Sequence, residues 1–157
     1  MRQRKIIRLK EYDYSKKGWY FVTIVVQDRL YLFGEIEENN LILNNAGKMI
    51  NKWYKKLEIK FPGIKCHEHI VMPNHFHCII EICANVGSAP CVRPSLSQII
   101  QWFKTMTSND YIKRVKKEKW PKFNKKLWER SFIDRILREH EIERTKTYIL
   151  NNPKNPN

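Results

Sequence analysis

The sequence predicts an α+β fold, a ferredoxin-like antiparallel sheet of four to five strands with helices packed on it. Three observations carry this expectation. Residues 19–26 form an unbroken aromatic and β-branched run, and Phe76, Cys78, Ile80 and Ile82 alternate with more polar neighbours. Between such strand-like runs lie segments whose apolar residues recur at three and four positions, the helical period. Hydrophobic residues make up 42% of the 157, enough for one core. One domain over residues 1–157 is expected, with a basic C-terminal segment 113–157.

The elements follow in order. Residues 1–18 are basic and mixed and include Tyr12 and Tyr14. The run Trp19–Val26 is the first strand, followed by a turn-like stretch with Asp28 and Gly34. Asn44 and Asn45 offer a cap for a helix over Ala46–Glu58, whose apolar face is Met49, Ile50, Trp53 and Leu57. Pro62-Gly63 breaks the chain before strands over Ile64–Val71 and His75–Cys83, joined through Met72-Pro73-Asn74. Residues 84–94 read as a loop. Ser95 with Gln98 makes a capping box, opening a helix that presents Leu96, Ile99, Ile100, Phe103 and Met106. A basic segment, Lys113–Lys126, comes next. The last element reads as a helix from Ser131 to Asn151, ended by Asn152-Pro153. All helices are expected on one face of the sheet.

The 30 Lys and Arg outnumber the 16 Asp and Glu, for a net charge of +14. Such an excess points to phosphate backbones as the counterpart. No apolar run is long enough to span a membrane, and no signal segment follows the N-terminus. Cysteines at 66, 78, 83 and 91 form no Cys-x-x-Cys pair, which argues against a zinc ribbon. A reducing cytoplasm is the expected setting.

His75-Phe76-His77 is the sharpest local signal. In a strand the two histidines share one face and the even-numbered residues the other. Two neutral imidazoles can hold a divalent ion, given a third ligand; on spacing alone, two surface histidines explain the pattern as well. His67 and His69 are expected to share a face, with Glu68 pointing the other way. His140 fits a metal ligand, a phosphate contact or a helix-surface residue. Lys104, Arg130, Arg135 and Arg138 are candidate phosphate contacts, with Arg135 and Arg138 on one helix side. In residues 119–128, Trp120 and its lysines Lys122, Lys125 and Lys126 suit a single strand, aromatics stacking on bases and ammonium groups holding the backbone. Packing of Trp120, Phe123 and Trp128 under a solvated loop is the plainer alternative.

Several stretches together resemble a known family. These are Ile7-Arg8-Leu9-Lys10 with Tyr12-Asp13-Tyr14, Tyr20-Phe21-Val22-Thr23, Leu32-Phe33-Gly34 and Val71-Met72-Pro73-Asn74-His75-Phe76-His77. Phe103-Lys104, Leu127-Trp128-Glu129-Arg130, Ile136-Leu137-Arg138 and Tyr148-Ile149-Leu150-Asn151-Asn152-Pro153 complete the set. In this order they resemble the small tyrosine transposases of the HUH nuclease class, in particular the branch associated with repetitive extragenic palindromes of bacterial genomes. The resemblance implies a ferredoxin-like domain that binds single-stranded or hairpin DNA at palindromic repeats in the bacterial cytoplasm, at the nucleoid. It implies Mg²⁺ or Mn²⁺ at His75 and His77; for a third ligand the sequence offers His140 and Asp134 and does not choose between them. It also implies a tyrosine that attacks phosphorus, leaving a 5′-phosphotyrosine and a free 3′-hydroxyl. A membrane partner is not expected; monomer and homodimer both stay open.

One departure weighs on this. In the family the segment after Trp-x-Arg carries two adjacent aromatics, the second expected as nucleophile. Here it reads Ser131-Phe132-Ile133-Asp134, which sets Ile133 at that position, and Arg135 stands for a histidine. Isoleucine has no nucleophilic group. Cleavage and strand transfer are therefore expected to be impaired. The alternatives are an active enzyme using Tyr111 or Tyr148, or a basic RNA-binding α+β domain. Read on one helix, Tyr148 lies fifteen residues from Ile133, about 22 Å.

Overall fold

The aromatic and β-branched run after Lys17 forms β1 (Gly18–Val25), on which the sheet is assembled. The computed structural model describes residues 17–83 and 94–152. The stretch Ile7–Tyr14, Cys91, residues 84–93 of the predicted loop and Pro153 lie outside the described residues. A short 3₁₀ turn (Gln27–Arg29) leads to a hairpin, β2 (Gly34–Glu37) and β3 (Asn40–Leu43). Then come α1 (Asn45–Lys55), the single turn α2 (Leu57–Lys60), β4 (Ile64–Met72) and β5 (His75–Ile82). The chain continues through α3 (Leu96–Glu118), β6 (Ile133–Leu137) and α4 (Glu139–Asn151).

Four strands pair in the order β4-β5-β1-β6, every neighbour antiparallel. Counted along the chain this is second, third, first, fourth. Helices link the first to the second and the third to the fourth, which is the ferredoxin-like arrangement. The predicted caps hold: Asn44 Oδ1 accepts from Gly47 N–H at 3.0 Å, and Ser95 and Gln98 exchange both bonds of the capping box.

The core lies between the sheet and helices α1 and α3. Tyr20, Val22 and Ile24 of β1 meet Phe76, Cys78, Ile80 and Ile82 of β5, none more than 1% exposed. Met49, Ile50, Tyr54 and Leu57 close one side; Ile99, Ile100, Phe103 and Tyr111 close the other. Each such side chain contributes about 1.5–3 kcal/mol on burial. Trp53 Nε1 donates to Asp110 at 2.8 Å and ties α1 to α3.

Four expectations are corrected. The β2–β3 hairpin replaces a plain turn; its Glu38-Asn39 corner takes φ of 49° and 65°, as a two-residue hairpin turn requires. The basic segment does not begin after the helix, because α3 runs on through Lys113 to Glu118. The predicted last helix is two elements: residues 133–137 form an edge strand paired with β1, and the helix starts only at Glu139. Arg135 and Arg138 therefore share no helix side. The helices also occupy both faces of the sheet, α4 lying opposite α1 and α3.

Candidate active site

The odd-numbered residues of β1 and β5 face away from the main core, towards α4. His75 and His77 stand side by side there, ring centroids 4.7 Å apart. His75 Nδ1 is 2.6 Å from Asn74 Oδ1. A carboxamide oxygen only accepts, so Nδ1 carries the proton and Nε2 keeps its lone pair. His77 Nδ1 is 2.8 Å from Oγ1 of Thr23, its partner across the strands. The threonine hydroxyl can donate or accept, so this bond is compatible with the same tautomer at His77. Burial pushes His77 down to about 3, with His75 beside it adding to the effect. His75 is lowered by burial and then by Arg29. Both rings are neutral near pH 7, the form that binds a metal ion.

Helix α4 crosses this face on a small second core of Ile79, Leu137 and Ile149, with Trp19, Phe21, Ile70 and Ile142 packed on it. It carries Tyr148 to the histidines: the ring is 54% exposed and its centroid is 6.1 Å from that of His77. This overturns the separation expected from a single helix. The chain runs out along β6 and folds back through α4, so Tyr148 returns over the row that contains His77, Thr23 and Ile133. Phe21 lies at the centre, 5.3 Å from the His77 ring and 6.2 Å from that of Tyr148. Asn152, one helical turn past Tyr148, is 6% exposed at the end of α4.

The other predicted residues divide. Ile133 is on a strand rather than a helix, across Thr23 from His77 and 44% exposed, so it does not pack into the core. Asp134 is opposite Val22 and buried on the main-core face. It therefore points away from the histidines and is no third ligand. His140 is exposed in the first turn of α4, eight residues or about 12 Å before Tyr148, at the far end from the pair. Among the described residues no group of three or more His, Cys, Asp or Glu could hold a metal ion. The Nε2 nitrogens of the two imidazoles are the donor pair on this side, and imidazole suits Mn²⁺ better than Mg²⁺.

His67 and His69 do not share a face, because the register shifts between Cys66 and His69. His67 stacks on Trp19 at 4.0 Å and meets Glu81 Oε1 at 2.9 Å. His69 packs inward on Tyr54 at 4.3 Å. Lys104 is no phosphate contact. It is buried, and its ammonium donates to the carbonyls of Glu129, Arg130 and Ser131 at 2.8, 3.3 and 3.2 Å. Trp120 and Phe123 pack on Tyr111, and Trp128 is buried with Nε1 donating to Thr107 at 2.9 Å. The plainer alternative for these aromatics is thus the observed one. Lys122, Lys125, Lys126, Arg130, Arg135 and Arg138 are all exposed. Tyr111 is wholly buried, its hydroxyl donating to Pro121 O at 2.6 Å, and burial pushes it up to about 12.

Sequence reasoning missed Phe21, Thr23 and Asn74 beside the histidine pair, and did not consider Asn152. The spacing of Asn152 four residues after Tyr148 was visible, since i and i+4 share a helix face. Thr23 became readable only once its pairing with His77 was known.

Residues 19–152 match the sequence profile of the family described as IS200-like transposases. A Haemophilus influenzae protein named only as uncharacterized is 32% identical, over 96% of this chain and 88% of its own length. A solved REP-associated tyrosine transposase bound to a REP hairpin superposes with a TM-score of 0.64 at 19% identity, over 94% of this chain and 73% of that one. A candidate transposase from Deinococcus radiodurans does so at 0.55 and 16% identity, over 92% and 97%.

Proposed function

The chain belongs to the IS200-like transposase family, and from that premise we propose that it binds single-stranded or hairpin DNA at palindromic repeats and cleaves it with Tyr148 as nucleophile. The observation that carries the choice of residue is the exposed Tyr148 ring 6.1 Å from His77. Ile133 is then a floor residue beside the site and not a lost nucleophile. Tyr111 is excluded by its burial on the main-core side.

His75 and His77 would hold Mg²⁺ or Mn²⁺ through Nε2. The bound ion supplies offsetting positive charge to the phosphoryl oxygens. Asn74 fixes His75 in the tautomer that leaves Nε2 free, and Thr23 holds the His77 ring through a bond compatible with the same tautomer. Tyr148 Oη attacks phosphorus and releases a 3′-hydroxyl, and the covalent intermediate keeps the phosphodiester energy for rejoining. The solved relative's REP hairpin supports a folded single strand as the partner, and the +14 charge supports a phosphate-rich one.

The test uses 5′- and 3′-labelled hairpin DNA incubated with Mn²⁺ and run on denaturing gels. Wild type and Ile133→Ala are expected to give a covalent protein–DNA band, and Tyr148→Phe none. A band that persists in Tyr148→Phe would put the nucleophile elsewhere. Hairpin binding without any band from wild type would leave a DNA-binding protein that has lost cleavage.

A further inference from the structure

We infer that Arg135 is a catalytic residue whose guanidinium grips a non-bridging oxygen of the scissile phosphate while Tyr148 attacks. The inference rests on the assignment of Tyr148 as nucleophile. It begins with the Phe21 ring, which borders three groups: His77 at 5.3 Å, Tyr148 at 6.2 Å and the Arg135 guanidinium carbon at 5.8 Å. The register explains the arrangement. Arg135 is opposite Phe21 on β1, one pair along from Ile133 opposite Thr23. Its side chain consequently rises on the histidine face and not into the main core.

The guanidinium is aimed at α4. Nη2 donates to Thr145 Oγ1 at 3.3 Å, and Thr145 lies three residues before Tyr148, on the same helix side. Nη1 is 4.0 Å from Glu141 Oε2, too far for a strong bond. The Glu141 carboxylate is also occupied at its other oxygen, which accepts from Arg138 N–H at 3.3 Å. A guanidinium has five donors in a planar fork that matches phosphate. Only one makes a hydrogen bond to a described residue, and the side chain is 56% exposed. The remaining donors are open to a phosphate lying between β6 and α4.

That position fits the chemistry. As the Tyr148 Oη–phosphorus bond forms, the bond from phosphorus to the 3′ oxygen breaks. The phenol proton leaves to water and the 3′ oxygen takes a proton from water. Charge builds on the non-bridging oxygens in between, and a fixed guanidinium there favours the transition state over the bound substrate. The same contact holds the 5′-phosphotyrosine for the return reaction.

Arg135 also touches α4, so a purely mechanical tether is the rival to be separated. The experiment uses the full chain, Mn²⁺ and hairpin DNA whose scissile phosphate has been mapped from the covalent band. Single-turnover adduct formation is expected to slow about 10²-fold in Arg135→Ala, with part of the rate recovered in Arg135→Lys. Binding is then measured in the unreactive Tyr148→Phe background, with either a phosphodiester or an uncharged methylphosphonate at the scissile position. Adding Arg135→Ala should weaken binding of the phosphodiester about tenfold and leave methylphosphonate binding unchanged. Equal loss on both DNAs, or an Arg135→Ala rate within threefold of wild type, overturns the inference. A covalent band from Tyr148→Phe overturns the nucleophile assignment instead, so the two failures are distinguishable.

Discussion

The two faces of the four-stranded sheet use alternate residues of the same strands and end as opposite environments. On the face towards α1 and α3, Phe76, Cys78, Ile80 and Ile82 are at most 1% exposed and meet a continuous apolar core. On the face towards α4, the residues between them include His75 and His77, beside Thr23, Arg135 and a half-exposed Tyr148. The difference lies in the cover. Two helices with long apolar faces seal one side, whereas among the described residues α4 seats Ile149 on a small cluster with Ile79 and Leu137. The strand residues towards β6 stay reachable from solvent. Residue parity along β5 therefore separates the main core from the face that carries the candidate site, and single substitutions at neighbouring positions should fail in different assays.

The largest expected effect is on the reactive face. Tyr148→Phe should reduce covalent adduct formation by about 10⁴-fold or more, with the unfolding midpoint in urea almost unmoved. A comparable loss of stability would mean that α4 is part of the main core after all. On the sealed face, Phe76→Ala should cost about 3–5 kcal/mol in urea unfolding. Its ring stacks on Phe103 and meets Tyr54, at 5.2 and 5.3 Å. A cost below about 1 kcal/mol would show that face to be looser than its packing.

A pH series sharpens the contrast. His77 is held down to about 3 in the folded chain by burial and then by His75, against an ordinary value near 6.5. The unfolded chain takes up its proton below about pH 6.5 and the folded chain only near 3. The stabilisation is thus complete above pH 6.5 and is lost as pH falls through that window, by about 2 kcal/mol at pH 5. Urea unfolding at pH 7.5 and 5.0 should show this loss in wild type and in Cys78→Ala, and a smaller one in His77→Gln. The smallest effect belongs to neither face. Replacing Lys122, Lys125 and Lys126 together by alanine should lower the salt dependence of hairpin binding by up to about 2 in log–log slope. Single-turnover cleavage at saturating DNA should not change.

The sheet was legible where polarity and burial agree. The β-branched run of β1, the alternation of Phe76–Ile82 and the Ser95–Gln98 box each describe their own local structure. β6 was not legible, because Ile133, Ile136 and Leu137 sit at helical spacing while Ile133 faces solvent and Asp134 is buried. That polarity inverts the usual rule for a strand, as an edge beside a binding face permits. Of the site, the histidine pair followed from strand alternation alone. Tyr148 did not, since its place depends on the chain reversing after β6. The opposite directions of His67 and His69 depend on an irregular register in β4 that their sequence does not announce.

The join between β6 and α4 has a consequence for stoichiometry. Arg138 alone separates Leu137 from Glu139, and β6 is held along its length by β1. A helix handed to a second copy would need a longer connection or the unzipping of that strand. On the function proposed above, each chain would keep its own tyrosine over its own histidines and cut without a second copy. Mixing Tyr148→Phe with His77→Ala should accordingly restore no cleavage, and turnover per chain should not depend on protein concentration.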